Sequence, residues 1–211
     1  MLPRLLTDII DDSNLRTIAG AKGEELACLY RTAEQVSGFR LLPTIAVPPA
    51  GKRVTQSRKR IRRLLEEELG LGSPIKAYIV RSSSYDEQPG KNTSIPIVYD
   101  ARFVSPNDAQ HKFLNGLWQA MNDVRVRENM PVLIQPLEAV FEDGHFGAGN
   151  FSFVVHSHSR RSPDDYAEIV FAKGLANNCV DGNQSDWAII RKRECMGWVD
   201  KRAEQYWILK G

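Results

Sequence analysis

Apolar side chains recur along this chain at two different periods, and the alternation between these periods most limits the possible fold. Segments 56–69 and 105–121 place aliphatic and aromatic residues three and four positions apart, as in amphipathic helices. Segments 75–80 and 131–137 are short apolar runs bounded by turn residues, and segment 95–104 alternates between apolar and other residues, both of which are typical of strands. The sequence therefore predicts an α/β (α+β) fold in which helices flank sheets.

Further elements are expected on the same grounds. Gly70 and Gly72 should end the helix over 56–69, and the turn-rich segment 142–147 suggests a hairpin. An apolar stripe predicts one more helix over 23–36. The remaining strands are predicted at 38–47, 150–156, 168–172, 187–190 and 206–209.

Length and composition favour a soluble cytoplasmic protein. The chain has 211 residues, of which 42% are hydrophobic, so it can bury a core without disulfides. Its three cysteines, Cys28, Cys179 and Cys195, are an odd number without close pairing, which fits reduced thiols. No apolar run is long enough for a bilayer span, and no signal peptide is expected. The net charge of +2 does not by itself require a polyanionic partner.

Two segments carry cations in positions suited to phosphate. Residues 20–23 read Gly-Ala-Lys-Gly, and residues 80–84 read Val-Arg-Ser-Ser-Ser before the acidic pair at 86–87. A triphosphate needs fixed cations and backbone amides. The glycine-flanked Lys22 and the strand-end Arg81 are residue types that supply such contacts.

Two later segments complete an ordered set of four. Residues 131–137 place Gln135 in an apolar strand, and residues 168–175 begin a strand with Glu168 and end in a glycine turn. In this order the four segments resemble the nucleotide-binding domain of the phosphoenolpyruvate synthase and pyruvate phosphate dikinase family, which has a fold of the ATP-grasp type. The resemblance covers roughly residues 15–190, and the arginine-serine-serine segment is its most specific part.

The resemblance implies an ATP-grasp-like domain over 1–211, incomplete at its C-terminus, with mixed sheets and two small lobes at about 15–125 and 126–211. It implies that the domain binds ATP and Mg²⁺ and positions ATP for phosphoryl transfer, with a phosphohistidine-carrying domain or protein as a possible partner. Lys22 and Arg81 would contact phosphates, with Arg81 also in the catalytic role, whereas Gln135 and Glu168 would line the nucleotide cleft. The metal ligands are not identified by this comparison.

Departures from the family pattern favour a second hypothesis. Segment 152–159 lacks an expected phosphate-binding arginine, and Asn177 stands where the family has a glutamate. The chain also stops near the point where the family continues into a segment that helps to hold magnesium, which a transferred phosphoryl group requires. The alternative is therefore a non-catalytic relative that keeps the fold as a binding or interaction module.

Each candidate residue also has a structural explanation. Arg81 could pair with Asp86 or Glu87 at the surface, and Lys22 could belong to an ordinary helix-start turn. Gln135 could satisfy a neighbouring backbone group, and Glu168 could be an outward position on an edge strand.

A third hypothesis is nucleic-acid binding through the basic segment 52–63, which would depend strongly on salt. Three glutamates at 66–68 follow this segment at helical spacing, so they can pair with its arginines. A solvated helix face is therefore favoured over a nucleic-acid site, and no membrane partner is expected.

Overall fold

The computed structural model describes residues 1–35, 41–49, 54–85, 94–125, 130–137, 141–142, 145–146, 151–156, 166–173, 186–191 and 207–210. These residues divide between two compact units, Met1–Glu138 and Ala139–Gly211. The boundary lies after Glu138 rather than near residue 125. The strand over 132–137 pairs with strands of the first unit, which carries it into that unit.

The described residues form a mixed α and β structure, as the two apolar periods predict. The helices are α1 (Leu15–Gln35), α2 (Val54–Glu67) and α3 (Pro106–Val124), with a short 3-10 helix at Leu6–Ile9. The strands are β1 (Arg4–Leu5), β2 (Ile45–Val47), β3 (Ile75–Ser82), β4 (Ser94–Asp100), β5 (Val132–Leu137), β6 (Phe141–Glu142), β7 (His145–Phe146), β8 (Phe151–His156), β9 (Tyr166–Lys173), β10 (Asp186–Arg191) and β11 (Trp207–Lys210).

Five strands of the first unit form one sheet in the order β1-β2-β5-β3-β4. Every pairing in this sheet is antiparallel, so the mixed sheets implied by the resemblance are not found among the described strands. β5 lies in the middle, where Ile134 is opposite Ile45 of β2 and Val80 of β3. The carboxyl ends of β2 and β3 and the amino end of β5 therefore meet at one edge of the sheet.

In the second unit the described strands form an antiparallel sheet in the order β11-β10-β9-β8. A separate hairpin pairs Phe141 with Phe146 and Glu142 with His145, whereas β5 and β8, the strands that segment 142–147 was expected to join in a hairpin, belong to different sheets. The strands predicted at 150–156, 168–172, 187–190 and 206–209 all coincide closely with β8 to β11.

One face of the five-stranded sheet is covered by α2 and α3. Because side chains alternate along a strand, Tyr78 and Val80 of β3 share this face with Val132 and Ile134 of β5. The Phe113 ring of α3 lies 5.2 Å from the Tyr78 ring, centroid to centroid. The apolar stripe of α2 packs into the same core through Ile61, Leu64 and Leu65.

The opposite face of the sheet is covered by α1 and the 3-10 helix. Leu133 of β5 and Ala46 of β2 pack there against α1 residues that include Ala19 and Ala27. These alanines are fully buried, and their small side chains allow the helix to approach the sheet closely. Polar residues of β3 and β5 share this face, as described below.

The helix ends follow from local chemistry. The hydroxyl of Ser105 accepts a hydrogen bond from the backbone N–H of Asp108 at 3.1 Å, which confirms the predicted start of α3. Gly70 and Gly72 both have positive φ after α2, as expected of glycines that end a helix. Within the described residues, none of the helices combines the length and apolarity that a membrane span requires.

Several boundaries differ from the sequence predictions, and β4, for instance, ends at Asp100 rather than at residue 104. α1 begins at Leu15 rather than near residue 23. The non-helical Gly20 divides it into two helical segments, and the second segment corresponds to the helix predicted over 23–36. Only Ile45–Val47 of the strand expected at 38–47 pairs in the sheet, and residues 38–40 lie outside the described residues. Pro43 lacks a backbone N–H, which disfavours extension of the strand in that direction.

Candidate functional site

The two cation-bearing segments at 20–23 and 80–84 meet in the structure. Gly20 has φ 71° and ψ −175°, a conformation that is essentially restricted to glycine. A Cβ atom at this position would lie 2.1 Å from the carbonyl oxygen of Ser83 and 2.4 Å from its hydroxyl. Only glycine therefore permits the kinked start of α1 to lie directly against the end of β3.

Hydrogen bonds join the same two segments. The backbone N–H of Ala21 donates to the carbonyl of Ser84 at 2.8 Å, and that of Gly23 donates to the hydroxyl of Ser83 at 3.4 Å. Ser83 is buried, and its hydroxyl and carbonyl lie against the glycines of α1, so this serine serves the packing of α1. This corrects part of the sequence interpretation, because at least two amides of the glycine turn have protein partners and do not form a phosphate cradle.

Lys22 belongs to α1, and its side chain reaches the end of β3. Its partly buried ammonium group donates a hydrogen bond to the carbonyl oxygen of Ser82 at 2.9 Å. Ser82 directly follows Arg81, so this bond holds the lysine charge beside the strand end that carries the arginine. The structure thus brings together two of the four candidate residues.

Arg81 and Gln135 belong to a chain of polar groups on the α1 face of the sheet. An Nη atom of Arg81 donates to Oε1 of Gln135 at 3.4 Å, and Nε2 of Gln135 donates to the hydroxyl of Thr44 at 2.9 Å. The hydroxyl of Tyr30 on α1 lies 3.3 Å from that of Thr44 and donates to the carbonyl of Leu42. This series of hydrogen-bonded groups links α1, the strands β3 and β5, and the loop at 41–44.

This polar chain is only partly solvated. Thr44 is 1% exposed, whereas Arg81 and Gln135 have intermediate exposure. Burial raises the pKa of Tyr30, although its hydrogen bond with Thr44 acts in the opposite direction. Tyr30 therefore stays protonated at neutral pH and can act as a hydrogen-bond donor.

Thr44 and Tyr30 were missed by the sequence interpretation. Tyr30 was assigned to the apolar stripe of the first helix, and Thr44 lay inside a segment interpreted as a buried strand. The only local signal was the hydroxyl of Thr44 between apolar neighbours. This signal does not identify its partner Gln135, which is 91 positions away in the sequence.

Beyond Ile134, β5 is paired on one side only by the described strands. β3 continues alongside to Leu137, but β2 faces only residues 132–134. Pro136 cannot donate a backbone hydrogen bond, and proline in a sheet is tolerated where a side of the strand faces no partner. Among the described residues, no strand pairs with the second side of β5 beyond Ile134, although the buried Thr44 lies next to Gln135 there.

The fourth candidate, Glu168, lies in the second unit. Its backbone pairs in β9, opposite His156 of β8 and Ile189 of β10, so it belongs to an inner strand rather than an edge strand. Some residues named in the sequence analysis lie outside the described residues. They are Asp86, Glu87, the glycine turn after β9, Lys52 and Arg53.

No group of three or more His, Cys, Asp or Glu side chains suited to a metal ion occurs in the described part of the chain. The described residues therefore supply cations for an anionic ligand and no carboxylate set for Mg²⁺. The chemistry that the arrangement supports is recognition of a charged, hydrogen-bonding ligand by Lys22, Arg81 and Gln135.

The basic face of α2 is paired with acidic side chains. The guanidinium of Arg62 lies 2.9 Å from the carboxylate of Glu66, and that of Arg63 lies 2.7 Å from Glu67. Both pairs have the i,i+4 spacing expected from the sequence. This pairing reduces the charge available for a polyanion.

Comparisons of the chain with protein-family models and with curated proteins give no match. The resemblance to the dikinase family thus rests on the four segments alone.

Proposed function

We propose that this chain is a nucleotide-binding domain of the phosphoenolpyruvate synthase and pyruvate phosphate dikinase type. The observation that carries the proposal is the contact between Gly20 and Ser83, which brings the Lys22 turn against the strand end of Arg81. Segments 60 residues apart in the sequence therefore lie in contact, which is a condition for a shared phosphate site.

The arrangement suits recognition of a triphosphate and a base. Lys22 and Arg81 provide two cations on the α1 side of one sheet, and electrostatic stabilisation by such fixed charges is a main source of catalysis in phosphoryl transfer. Gln135 lies in the carboxyl half of β5, next to Arg81. A base bound there would exchange hydrogen bonds with the glutamine amide in place of Arg81 or Thr44.

In this proposal the chain binds and orients ATP, and Mg²⁺ would supply charge neutralisation of the phosphates when bound. Arg81 would be the group nearest to the transferred phosphoryl group. An acceptor carrying a histidine, on another domain or protein, would complete the reaction. ATP-grasp architecture and a cytoplasmic location belong to the same proposal.

One observation favours the non-catalytic alternative. Lys22, Arg81 and the turn amides all bind protein acceptors, so the site is held together by the groups that would contact phosphate. A relative that uses this fold only for binding or interaction would keep these bonds for stability. Its affinity for ATP would be low and would not depend on Lys22.

Calorimetric titration with ATP in the presence of magnesium distinguishes the two. We expect micromolar binding by the wild-type chain and a loss of at least about tenfold in Lys22→Met and in Arg81→Met, since each removes one phosphate contact. Lys112→Met is the matched control, because Lys112 is exposed on α3 at the opposite face of the sheet.

The variants must first show thermal unfolding similar to that of the wild type, because Lys22 and Arg81 also make internal hydrogen bonds. Absence of binding at millimolar ATP in the folded wild-type chain would refute the nucleotide-binding proposal and support the interaction module. Equal weakening by Lys112→Met would assign the effect to net charge.

A further inference from the structure

A second place in the first unit collects positive charge, on the face of the sheet away from Lys22. It is a small pocket between the end of β2, the first turn of α2 and the last turn of α3. Its walls are mostly apolar and include Val47, Pro48, Ile61 and Met121.

The polar groups of the pocket come from the two helices. Ser57 and Arg58 line it from α2, whereas Asn122 and Arg125 line it from the end of α3. None of the lining residues in the described part of the chain is Asp or Glu. The amino end of α2 and the carboxyl end of α3 both lie here and oppose each other electrostatically, so the two arginines decide the sign of the charge.

Neither arginine has a carboxylate partner among the described residues. The guanidinium of Arg58 lies over the Trp118 ring, 5.2 Å from its centroid. Arg125 donates from Nη2 to the carbonyl of Pro48 at 3.1 Å, and its buried Nε has no hydrogen-bond partner in the described part of the chain. Burial lowers the pKa of Arg125, as expected of a cation removed from water without a counter-charge.

We propose that this pocket binds a compact organic carboxylate, with its charged end at Arg125 and Arg58 and its carbon body against Trp118 and the apolar wall. A carboxylate matches the fork of a guanidinium and would supply the counter-charge that Arg125 and Arg58 lack among the described residues. The apolar lining distinguishes this ligand from inorganic phosphate, which carries more charge and offers no surface for hydrophobic burial. The pocket is separate from the proposed nucleotide site, which lies on the α1 face.

The test is calorimetric titration of the full chain with benzoate, with benzamide as a neutral molecule of the same shape. Because the ligand is small, we expect a dissociation constant on the order of 1 mM for benzoate and binding at least about tenfold weaker for benzamide. Inorganic phosphate should bind more weakly than benzoate.

Three variants locate the binding. Arg125→Gln should weaken benzoate at least about tenfold and Arg58→Gln about threefold or more, in line with the loss of a charge-assisted hydrogen bond. Lys59→Gln is the control, because it removes the same charge from the next position on α2 without lining the pocket. Arg58 is exposed, so Arg58→Gln decides the result even if Arg125→Gln fails to fold.

Four results would overturn the proposal: no benzoate binding at about 20 mM, roughly twenty times the expected constant; equal affinity for benzamide; tighter binding of inorganic phosphate; or equal weakening by Arg58→Gln and Lys59→Gln. ATP titration measures binding at the proposed nucleotide site on the opposite face of the sheet. Its outcome is therefore independent of the outcome of the benzoate titration.

Discussion

The two faces of the five-stranded sheet differ in the polarity of their side chains. The face under α2 and α3 is an apolar core in which the aromatic rings of Tyr78, Tyr99 and Phe113 pack together. The face under α1 combines small side chains with the polar chain of Arg81, Gln135 and Thr44. One sheet thus carries hydrophobic stabilisation on one side and the candidate site on the other.

This difference explains how the partly buried α1 face can contain charged side chains. Burial of a polar group is unfavourable unless it is hydrogen-bonded, and Lys22, Arg81 and Gln135 each make such a bond on the α1 face. The apolar face needs no such pairing, because its stability grows with the area removed from water. We therefore expect the two faces to respond differently to substitution.

The largest expected effect is at the joint between α1 and β3. Gly20→Ala should destabilise the fold by roughly 3 to 5 kcal/mol, the sum of a positive φ and a clash with Ser83. Gly70→Ala is the matched control, since Gly70 has the same φ of 71° but nothing within 4 Å of an added Cβ. It should destabilise by about 1 to 2 kcal/mol.

Denaturant unfolding of both variants measures the difference. A gap of about 2 kcal/mol or more would assign the excess to the glycine-only backbone conformation of Gly20 together with its contact with Ser83. If the two variants were equally destabilised, α1 would not depend on a close approach to β3, and the contrast between the faces would lose its main support.

A smaller effect is expected from the polar chain itself. Gln135→Met keeps the side-chain length but removes both hydrogen bonds, to Arg81 and to Thr44, and should destabilise by about 1 to 2 kcal/mol. Gln119→Met is the control, because Gln119 is exposed on α3 and donates only to Asp123 at the surface. Its effect should stay within about 0.5 kcal/mol.

Thermal or denaturant unfolding would show this contrast, and ATP titration of the same variants would sharpen it. If Gln135 holds Arg81 in place for a nucleotide, Gln135→Met should lower ATP affinity, whereas Gln119→Met should not. Stability that is unchanged in Gln135→Met would mean that the polar chain contributes nothing to the α1 face.

The apolar face was largely predictable from the sequence, because its signals are local. The spacing of Ile61, Leu64 and Leu65 fixes the buried side of α2, and Ser105 marks the start of α3 through a bond to the next turn. Helical periodicity and N-capping act within a few residues, so one segment contains the whole signal.

The α1 face was predictable only in part. Lys22, Arg81 and Gln135 were selected through the ordered segments, but their partners Thr44 and Tyr30 were not, since those contacts span long stretches of chain. The central place of β5 was also missed. Strand order is decided by pairing between distant segments, and hydrophobic periodicity carries no information about which strands pair.

The smallest expected effect concerns tyrosine ionisation on the two faces. Burial raises the pKa of Tyr78 on the apolar face, and burial also raises the pKa of Tyr30 on the α1 face, where Thr44 opposes the shift. In the unfolded chain both groups lose their protons near pH 10, roughly the ordinary value. Above that pH the folded state therefore holds more protons, so stability falls as the pH rises towards the folded pKa values.

Urea unfolding between about pH 9 and pH 11 should show this loss, and each Tyr→Phe variant should remove its own share of the slope. Tyr78→Phe should flatten the alkaline slope more than Tyr30→Phe, because burial in the apolar core is not opposed by a partner such as Thr44. The reverse order would mean that the hydroxyl of Tyr30 is the more strongly desolvated one. The α1 face would then be the drier side of the sheet, contrary to the contrast drawn between its polar chain and the apolar core.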